Sequence, residues 1–224
     1  MLSDLVRPLD AGHVIRKRVA DVFSQVLGAS SGEDQAEALK AVVTEENAST
    51  LASLVYFVDV DLARPGFDTP VARAILRAMH PGTRTLCRFI ANQAEANYAG
   101  AKIGAGGALL LAWDLKEGHV SASITNLNLE DNEIGKDGAV ALSKALEVNA
   151  SMKKMNVLKS SIGDEGYNML TQVAEAKGIG TLCGLDEGAT DLDLSGKNLH
   201  AIDAKLLAWE LTTGYVSASL KKLK

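Results

Sequence analysis

The glycine-rich stretch Gly100–Gly107 is the part of this sequence whose residue types come closest to a phosphate-binding motif. It reads Gly-Ala-Lys-Ile-Gly-Ala-Gly-Gly and precedes a predicted helix. Glycines in such a position bring backbone N–H groups to an anion at the helix N-terminus. The stretch lacks both the G-x-G-x-x-G spacing and a G-K-[ST] ending, and every glycine in it also suits a turn of a repeat. We therefore predict repeat turns here and no phosphate site.

The two cysteines, Cys87 and Cys183, are the residues best suited to redox or metal chemistry. They are too few for a disulfide framework or a zinc site, and we predict that both are small buried packing residues. No two histidines have the spacing of metal ligands; they are His13, His80, His119 and His200. The sequence thus predicts no catalytic residue, metal site or cofactor, and we expect a protein that is not an enzyme.

The elements that position these residues follow a repeat, which is clearest in Ile124–Gly135. This stretch fits the pattern L-x-x-L-x-L-x-x-N-x-L of a leucine-rich repeat. Leu127 and Leu129 alternate on a short predicted strand, so both point into one core. Asn132 follows where the chain turns, and its amide can bond backbone groups that the turn leaves unpaired. One such unit cannot bury its own apolar face, so other units must stack beside it.

The neighbouring units are recognisable from internal similarity. Residues 85–124 align without gaps to residues 181–220, and a further unit carrying Ser160 in the asparagine slot lies between the two copies. A predicted helix over Lys136–Val148 carries one apolar stripe, and another is predicted over Val71–Met79 behind a cap at Asp68 or Thr69. The predicted strands fall near Ala96–Tyr98, Leu127–Leu129, Met155–Val157, Leu192–Leu194 and Leu220–Leu223.

The first 82 residues are harder to place in this array. They contain helical periodicity and form either a helical cap or a region that includes a degenerate repeat at 32–62. In that repeat Leu51, Leu54 and Tyr56 take the apolar positions and Asp59 takes the asparagine slot. A cap would shield the first regular repeat from water, as solenoids generally require. We expect residues 83–224 to form the repeat domain.

Composition limits the classes of function. The chain has 224 residues, a net charge of −5, 47% apolar and 23% charged residues, which argues against a broad nucleic-acid-binding surface. It has no apolar stretch long enough to span a membrane, and its first residues lack the apolar core of a secretory signal. We expect an intracellular protein, either cytoplasmic or organellar, whose partners are other proteins.

The motif Ile124–Asn149 resembles the ribonuclease-inhibitor type of leucine-rich repeat, and the resemblance covers residues 85–224 with a weaker echo at 32–59. The stretch Thr181–Leu199 is also similar to repeat proteins of unicellular algae and other protists. The resemblance implies an α/β right-handed solenoid with a parallel sheet on its concave side and helices outside. It further implies protein binding, since members of this family mostly bind proteins and a few activate GTPases.

The concave sheet is the best candidate for a functional surface, because the residues between the strand leucines point to solvent. Acidic and basic rungs alternate there, so the charges either recognise a partner or neutralise one another as cross-strand pairs. Trp113 and Trp209 occupy equivalent helix positions and either anchor a partner on the outer face or pack between helices. The candidate concave residues are Asn126, Asn128, Glu130, Lys153, Lys154, Asn156, Asp191, Asp193, Lys221 and Lys222.

These patterns favour a non-catalytic protein-interaction or scaffold subunit that is a peripheral component of a larger assembly. The alternative is a regulator that activates a GTPase. Such activators usually offer an arginine or an asparagine to the partner's site and order its catalytic groups, whereas every strand-face cation from residue 125 onward is lysine. The sequence therefore favours the scaffold over the regulator.

Overall fold

The computed structural model describes residues 39–41, 43–44, 52, 61–79, 82–117, 123–213 and 219–224. These residues form a mixed α/β fold in which short parallel strands alternate with helices, as predicted. In chain order the elements are α1 (Thr69–Arg77), β1 (Glu95–Asn97), α2 (Gly104–Glu117), β2 (Asn126–Asn128), α3 (Gly135–Val148), β3 (Lys154–Asn156), α4 (Gly163–Lys177), β4 (Asp191–Leu192), α5 (Ala201–Thr213) and β5 (Lys222–Leu223).

The strands lie in two parallel sheets, and each strand falls at or next to its predicted position. One sheet has the order β1–β2–β3 and the other pairs β4 with β5. Thr181 and Cys183 add isolated bridges to the outer side of β3. Within the described residues no strand pairing joins β3 to β4. The array of strands is therefore interrupted between these two strands, near residues 178–184.

The core forms where the strand leucines meet the apolar faces of the helices. Ala96, Leu127 and Met155 lie side by side in the first sheet and are all buried. The stripe predicted on α3 is buried as well, and α3 packs between α2 and α4. Because alternate strand residues point to opposite faces, the residues flanking these three side chains face away from the core.

Asn132 performs the backbone role predicted for the asparagine slot. Its Nδ2 donates to the carbonyl oxygens of Leu129, Glu130 and Tyr98, and its Oδ1 accepts the N–H of Ile103 at 3.1 Å. The side chain is only 2% exposed, so these bonds satisfy groups that water cannot reach. The asparagine therefore joins the turn of its own repeat to the turn of the preceding one.

A buried carboxylate holds the Thr-Leu-Cys segment that precedes β1. Asp114 on α2 accepts hydrogen bonds from the Thr85 hydroxyl at 2.7 Å and from the backbone N–H groups of Leu86 and Cys87, each at 2.8 Å. Asp114 is fully buried. Because α2 follows β1, this carboxylate ties a segment before the strand to the helix after it.

The second copy repeats the arrangement. Glu210 on α5, at the position equivalent to Asp114, accepts the N–H of Cys183 at 3.0 Å. Thr181 Oγ1 accepts the N–H groups of Cys183 and Leu185, as Thr85 does for Cys87 and Phe89. The structure thus uses one device before β1 and again between β3 and β4.

The helix before the first sheet has the predicted cap at Asp68, but it begins and ends two residues earlier than predicted. Asp68 Oδ1 accepts the N–H of Val71 at 2.9 Å and caps α1, which ends at Arg77 and not at Met79. The predicted asparagine-slot residue Asp59 and the predicted apolar positions Leu51, Leu54 and Tyr56 lie outside the described residues. Among the helices described, none combines the length and the apolar character that crossing a membrane would require.

Candidate functional site: a polar groove and an adjoining cleft

A polar groove of about 230 Å³ lies across the outward face of β1, β2 and β3. Two rows of side chains cross it in register, with Glu95, Asn126 and Lys154 in one and Asn97, Asn128 and Asn156 in the other. Neighbouring members of a row are separated by the strand spacing of about 4.8 Å. We use "the groove" for the surface formed by Glu95, Asn97, Asn126, Asn128, Lys154 and Asp186.

The asparagine row is held in one orientation by the backbone. In Asn97, Asn128 and Asn156, Oδ1 accepts the N–H of the residue two positions further on, at 3.0, 3.0 and 3.1 Å. Asp61 and Asp193 make the same turn at 3.0 Å each. Oδ1 thus already accepts one backbone N–H, and Nδ2 of Asn97 and Asn128 is the group that has no hydrogen-bond partner among the described residues.

Charge pairs occupy part of the groove and its rim. Lys154 Nζ lies 3.0 Å from Asp186, and Lys159 Nζ lies 3.4 Å from Asp131 and 3.8 Å from Glu130. Asn156 is only 9% exposed, and its Nδ2 donates to Glu130 at 3.1 Å. The predicted neutralisation between rungs therefore holds for these residues, and Asn156 is less available than the sequence implied because its neighbours cover it.

A second cavity of about 240 Å³, which we call the cleft, lies beside β1. Arg64 crosses it, with Nε 3.1 Å from Asp61 Oδ2, Nη2 3.3 Å from the Asn97 carbonyl oxygen, and its guanidinium carbon 5.0 Å from the Tyr98 ring centre. Tyr98 donates its hydroxyl hydrogen to the Cys87 carbonyl oxygen at 2.9 Å. The cleft walls also include Arg88 and Gln93.

Burial dominates the electrostatics of the cleft. It raises the pKa of Asp61 to about 6, although the Ala63 N–H and the Arg64 charge act in the opposite direction. Burial also raises the pKa values of the Cys87 thiol and the Tyr98 phenol above their ordinary values. The thiol and the phenol therefore stay protonated at neutral pH, and neither is an activated nucleophile or base.

The internal duplication shows which features of the cleft belong to the framework. The Thr-Leu-Cys segment and its acidic partner on the following helix occur in both copies. The wall residues differ, because Arg88, Gln93 and Tyr98 correspond to Gly184, Ala189 and Leu194. The scaffold is therefore common to both copies, whereas the side chains of Arg88, Gln93 and Tyr98 have no hydrogen-bonding counterparts in the second copy.

The structure brings only some of the predicted concave residues together. Asn126, Asn128, Lys154 and Asn156 line the groove, and Glu130 adjoins it. The remaining candidates do not line it: Lys153 is exposed next to β3, and the others lie in or beside the second sheet, where Asp191 pairs in register with Lys222. They are Lys153, Asp191, Asp193, Lys221 and Lys222. The interruption between the sheets separates Asp191, Asp193, Lys221 and Lys222 from the groove, although sequence periodicity placed them on the same surface. Lys153 precedes β3 and lies outside the groove lining.

The two tryptophans are partly buried and pack against the core. Trp209 Nε1 also donates to Glu175 Oε1 on α4 at 2.7 Å. These contacts support the packing alternative for Trp209 and, by its core contact, for Trp113. The role of either as an outer-face anchor remains a prediction.

The glycine-rich stretch is explained by turns and by close packing of α2. Gly100 and Gly104 have positive φ angles of 65° and 61°. A Cβ atom at Gly106 would lie 1.9 Å from the Phe67 carbonyl oxygen, and one at Gly107 would lie 2.5 Å from that of Ala63. The last two glycines therefore face a neighbouring backbone, which the sequence did not reveal.

Sequence reasoning missed Asp61, Arg64 and Tyr98 as cleft residues and Asp114 as their support. The available signal was the alignment of the two copies, in which Asp114 faces Glu210 while Tyr98 faces leucine. Within the described part of the chain, no group of three or more His, Cys, Asp or Glu side chains is placed to hold a metal ion. No protein-family model matches this chain.

Proposed function

We propose that this protein is a non-catalytic interaction or scaffold subunit, built as a leucine-rich-repeat solenoid, that recognises a partner protein with the groove. The parallel register of β1–β3, the stacking of α2, α3 and α4, and the asparagine bridge at Asn132 support the repeat architecture. The observation that carries the functional proposal is the oriented row of Asn97 and Asn128 across a concave polar surface. Oriented polar groups favour specific recognition.

Co-purification from the cells that produce the protein tests this proposal. The wild-type chain is compared with a groove variant, Glu95→Arg with Asn126→Arg, and with an outer variant, Glu147→Arg with Gln172→Arg on the helices. All four residues have solvent-accessible side chains, so we expect each variant to fold. The wild type and the outer variant should bring down the same subunits, and the groove variant should lose them. A wild-type chain that purifies alone, or subunits retained by the groove variant, would contradict the proposal.

One structural observation favours the GTPase regulator as a second candidate. Arg64 is partly exposed and lines the cleft directly beside the groove, so the region before residue 125 does contain an arginine near the concave surface. Arginines of activators stabilise charge on the transferring phosphoryl group. GTP hydrolysis by candidate GTPases, measured with the wild type and with Arg64→Ala, tests this function: acceleration by the wild type alone would favour it.

A further inference from the structure

We propose that the groove and the cleft form one continuous trough that binds an extended peptide segment of the partner through the segment's backbone carbonyl groups. This inference rests on the proposed interaction function and specifies the form of the partner. Ala96 and Asn97 line both cavities, so the two spaces meet at β1. The trough thus begins at Asp61 and Arg64 and ends beside Asp186.

The dimensions of the trough suit a short extended segment. The distance from β1 across β2 and β3 to the Thr181–Cys183 bridge covers three strand spacings, which is about 14 Å. An extended chain advances about 3.3 Å per residue, so about four residues would cross the sheet. The cleft beyond Asn97 adds room for one or two more residues.

The donors in the trough determine what kind of segment can bind. The Nδ2 groups of Asn97 and Asn128 have no hydrogen-bond partner among the described residues, while their Oδ1 atoms are occupied. Arg64 adds N–H donors that Asp61 and Tyr98 hold in place. A helix satisfies its own carbonyl groups internally, whereas an extended segment offers them to a neighbour. The row of fixed donors therefore favours an extended segment.

Charge adds a preference for the side chains of the segment. In the groove, Glu95, Lys154 and Asp186 leave a net charge of −1. In the cleft, the charge of Arg64 is balanced by Asp61 at 3.1 Å. Complementary charge contributes specificity in such contacts. The preferred segment has a basic residue beside Glu95 of β1.

The chain itself supplies a conservative substitution for the test. Asp61 and Asp193 make the same backbone turn as the asparagines, with the same 3.0 Å bond to the N–H two positions further on. Replacing Asn97 and Asn128 by aspartate therefore keeps the turn, and it converts both free donors into negatively charged acceptors. The matched control, Asn168→Asp with Gln172→Glu, adds the same charge to exposed positions on α4.

Selection from a phage-displayed library of random peptides, of about twelve residues each, against the immobilised full chain tests the inference. We expect enriched peptides that carry a basic residue. Their Kd for Asn97→Asp with Asn128→Asp should be at least about tenfold weaker than for the wild type, and their Kd for the control should be unchanged. Unfolding curves must show that the variants keep wild-type stability; if the double variant does not, Asn128→Asp alone serves.

Two outcomes would overturn the inference: a library that yields no binder, or binders with equal affinity for the wild type and the aspartate variant. Neither outcome bears on co-purification. If the groove variant loses its subunits while no peptide binds, the partner is recognised through a folded surface. The interaction function then stands and the extended-peptide inference fails.

Discussion

The Thr85 hydroxyl donates a 2.7 Å hydrogen bond to Oδ2 of Asp114, 29 residues further along the chain. The same carboxylate accepts two backbone N–H groups of the Thr-Leu-Cys segment. Three donors converge on a fully buried acidic group, so the bonds compensate for its removal from water. Glu210 is equivalent but has a longer side chain, and its Oε1 has no hydrogen-bond partner among the described residues. We call the bonds of Asp114 to the Thr85–Cys87 segment the first clasp and the bond of Glu210 to Cys183 the second clasp. The acidic group of the first clasp is therefore the better satisfied of the two.

Replacing Asp114 by asparagine should destabilise the protein by about 3 kcal/mol, because an amide NH2 would face a backbone N–H donor inside the core. Urea unfolding at neutral pH measures the change. Asp137→Asn on α3 is the control, since that side chain is 55% exposed and its replacement should leave the unfolding midpoint within error. Equal stability of Asp114→Asn and the wild type would mean that the clasp is not a source of stability.

The free energy of unfolding of the protein should depend on pH through Asp61, which lines the cleft. Burial raises the folded-state pKa of this carboxyl to about 6 from 3.8, so the folded protein holds the proton more tightly than the unfolded chain does. The stabilisation is complete below pH 4 and is lost as the pH rises through 6, by at most about 3 kcal/mol. Asp61→Asn removes this dependence. It keeps the Oδ1 acceptor for the backbone turn, because the asparagine at Asn156 makes the same turn after β3.

Urea unfolding of the wild type and Asp61→Asn between pH 4 and 7.5 measures this effect. The free energy of unfolding of the variant, minus that of the wild type, should increase between pH 4 and about 6.5 and stay constant above. A difference that is independent of pH would show that the carboxyl has an ordinary pKa in the folded protein. A difference that decreases would mean that the pair with Arg64 outweighs burial.

Local periodicity was sufficient to place the strands, the helices and Asn132, because each depends on residues close together in sequence. The interruption of the sheet was not predictable in this way. At the break between β3 and β4 the chain is held by Glu210, whose bond to Cys183 reaches back 27 residues, and the periodic pattern carries no signal for such a contact. The cleft was missed for the same reason, since Asp61 and Arg64 lie far from Tyr98 in the sequence.

Gly106→Ala should destabilise the protein by about 3 kcal/mol, because the added methyl group would meet the backbone oxygens of Phe67 and Asp68 at 1.9 and 2.6 Å. Backbone atoms cannot rotate away, so α2 itself would have to move. Gly166→Ala is the graded comparison: its nearest obstacle is the Ala139 side chain at 2.6 Å, and its cost should be about half as large. Thermal unfolding ranks the two. If Gly166→Ala proved the more harmful, close backbone packing of α2 would not explain Gly106.

Both cysteines should resist thiol reagents in the folded protein. Cys87 and Cys183 are 2% and 3% exposed. Burial, followed by the charge of Asp114 for Cys87 and of Glu210 for Cys183, raises the pKa of each thiol above its ordinary value. The thiolate is the reactive form, so labelling requires opening of the clasp. Its rate then reports on that opening.

Labelling by Ellman's reagent should therefore be slow at neutral pH and become fast for both thiols in denaturant. Asp114→Asn should accelerate the labelling of Cys87 and leave the rate at Cys183 unchanged, because Cys183 is held by Glu210. Mass spectrometry of the labelled peptides distinguishes the two sites. Rapid labelling of the native wild type would contradict the burial of these thiols. Equal acceleration at both sites in Asp114→Asn would show that the two clasps open together, as one cooperative unit.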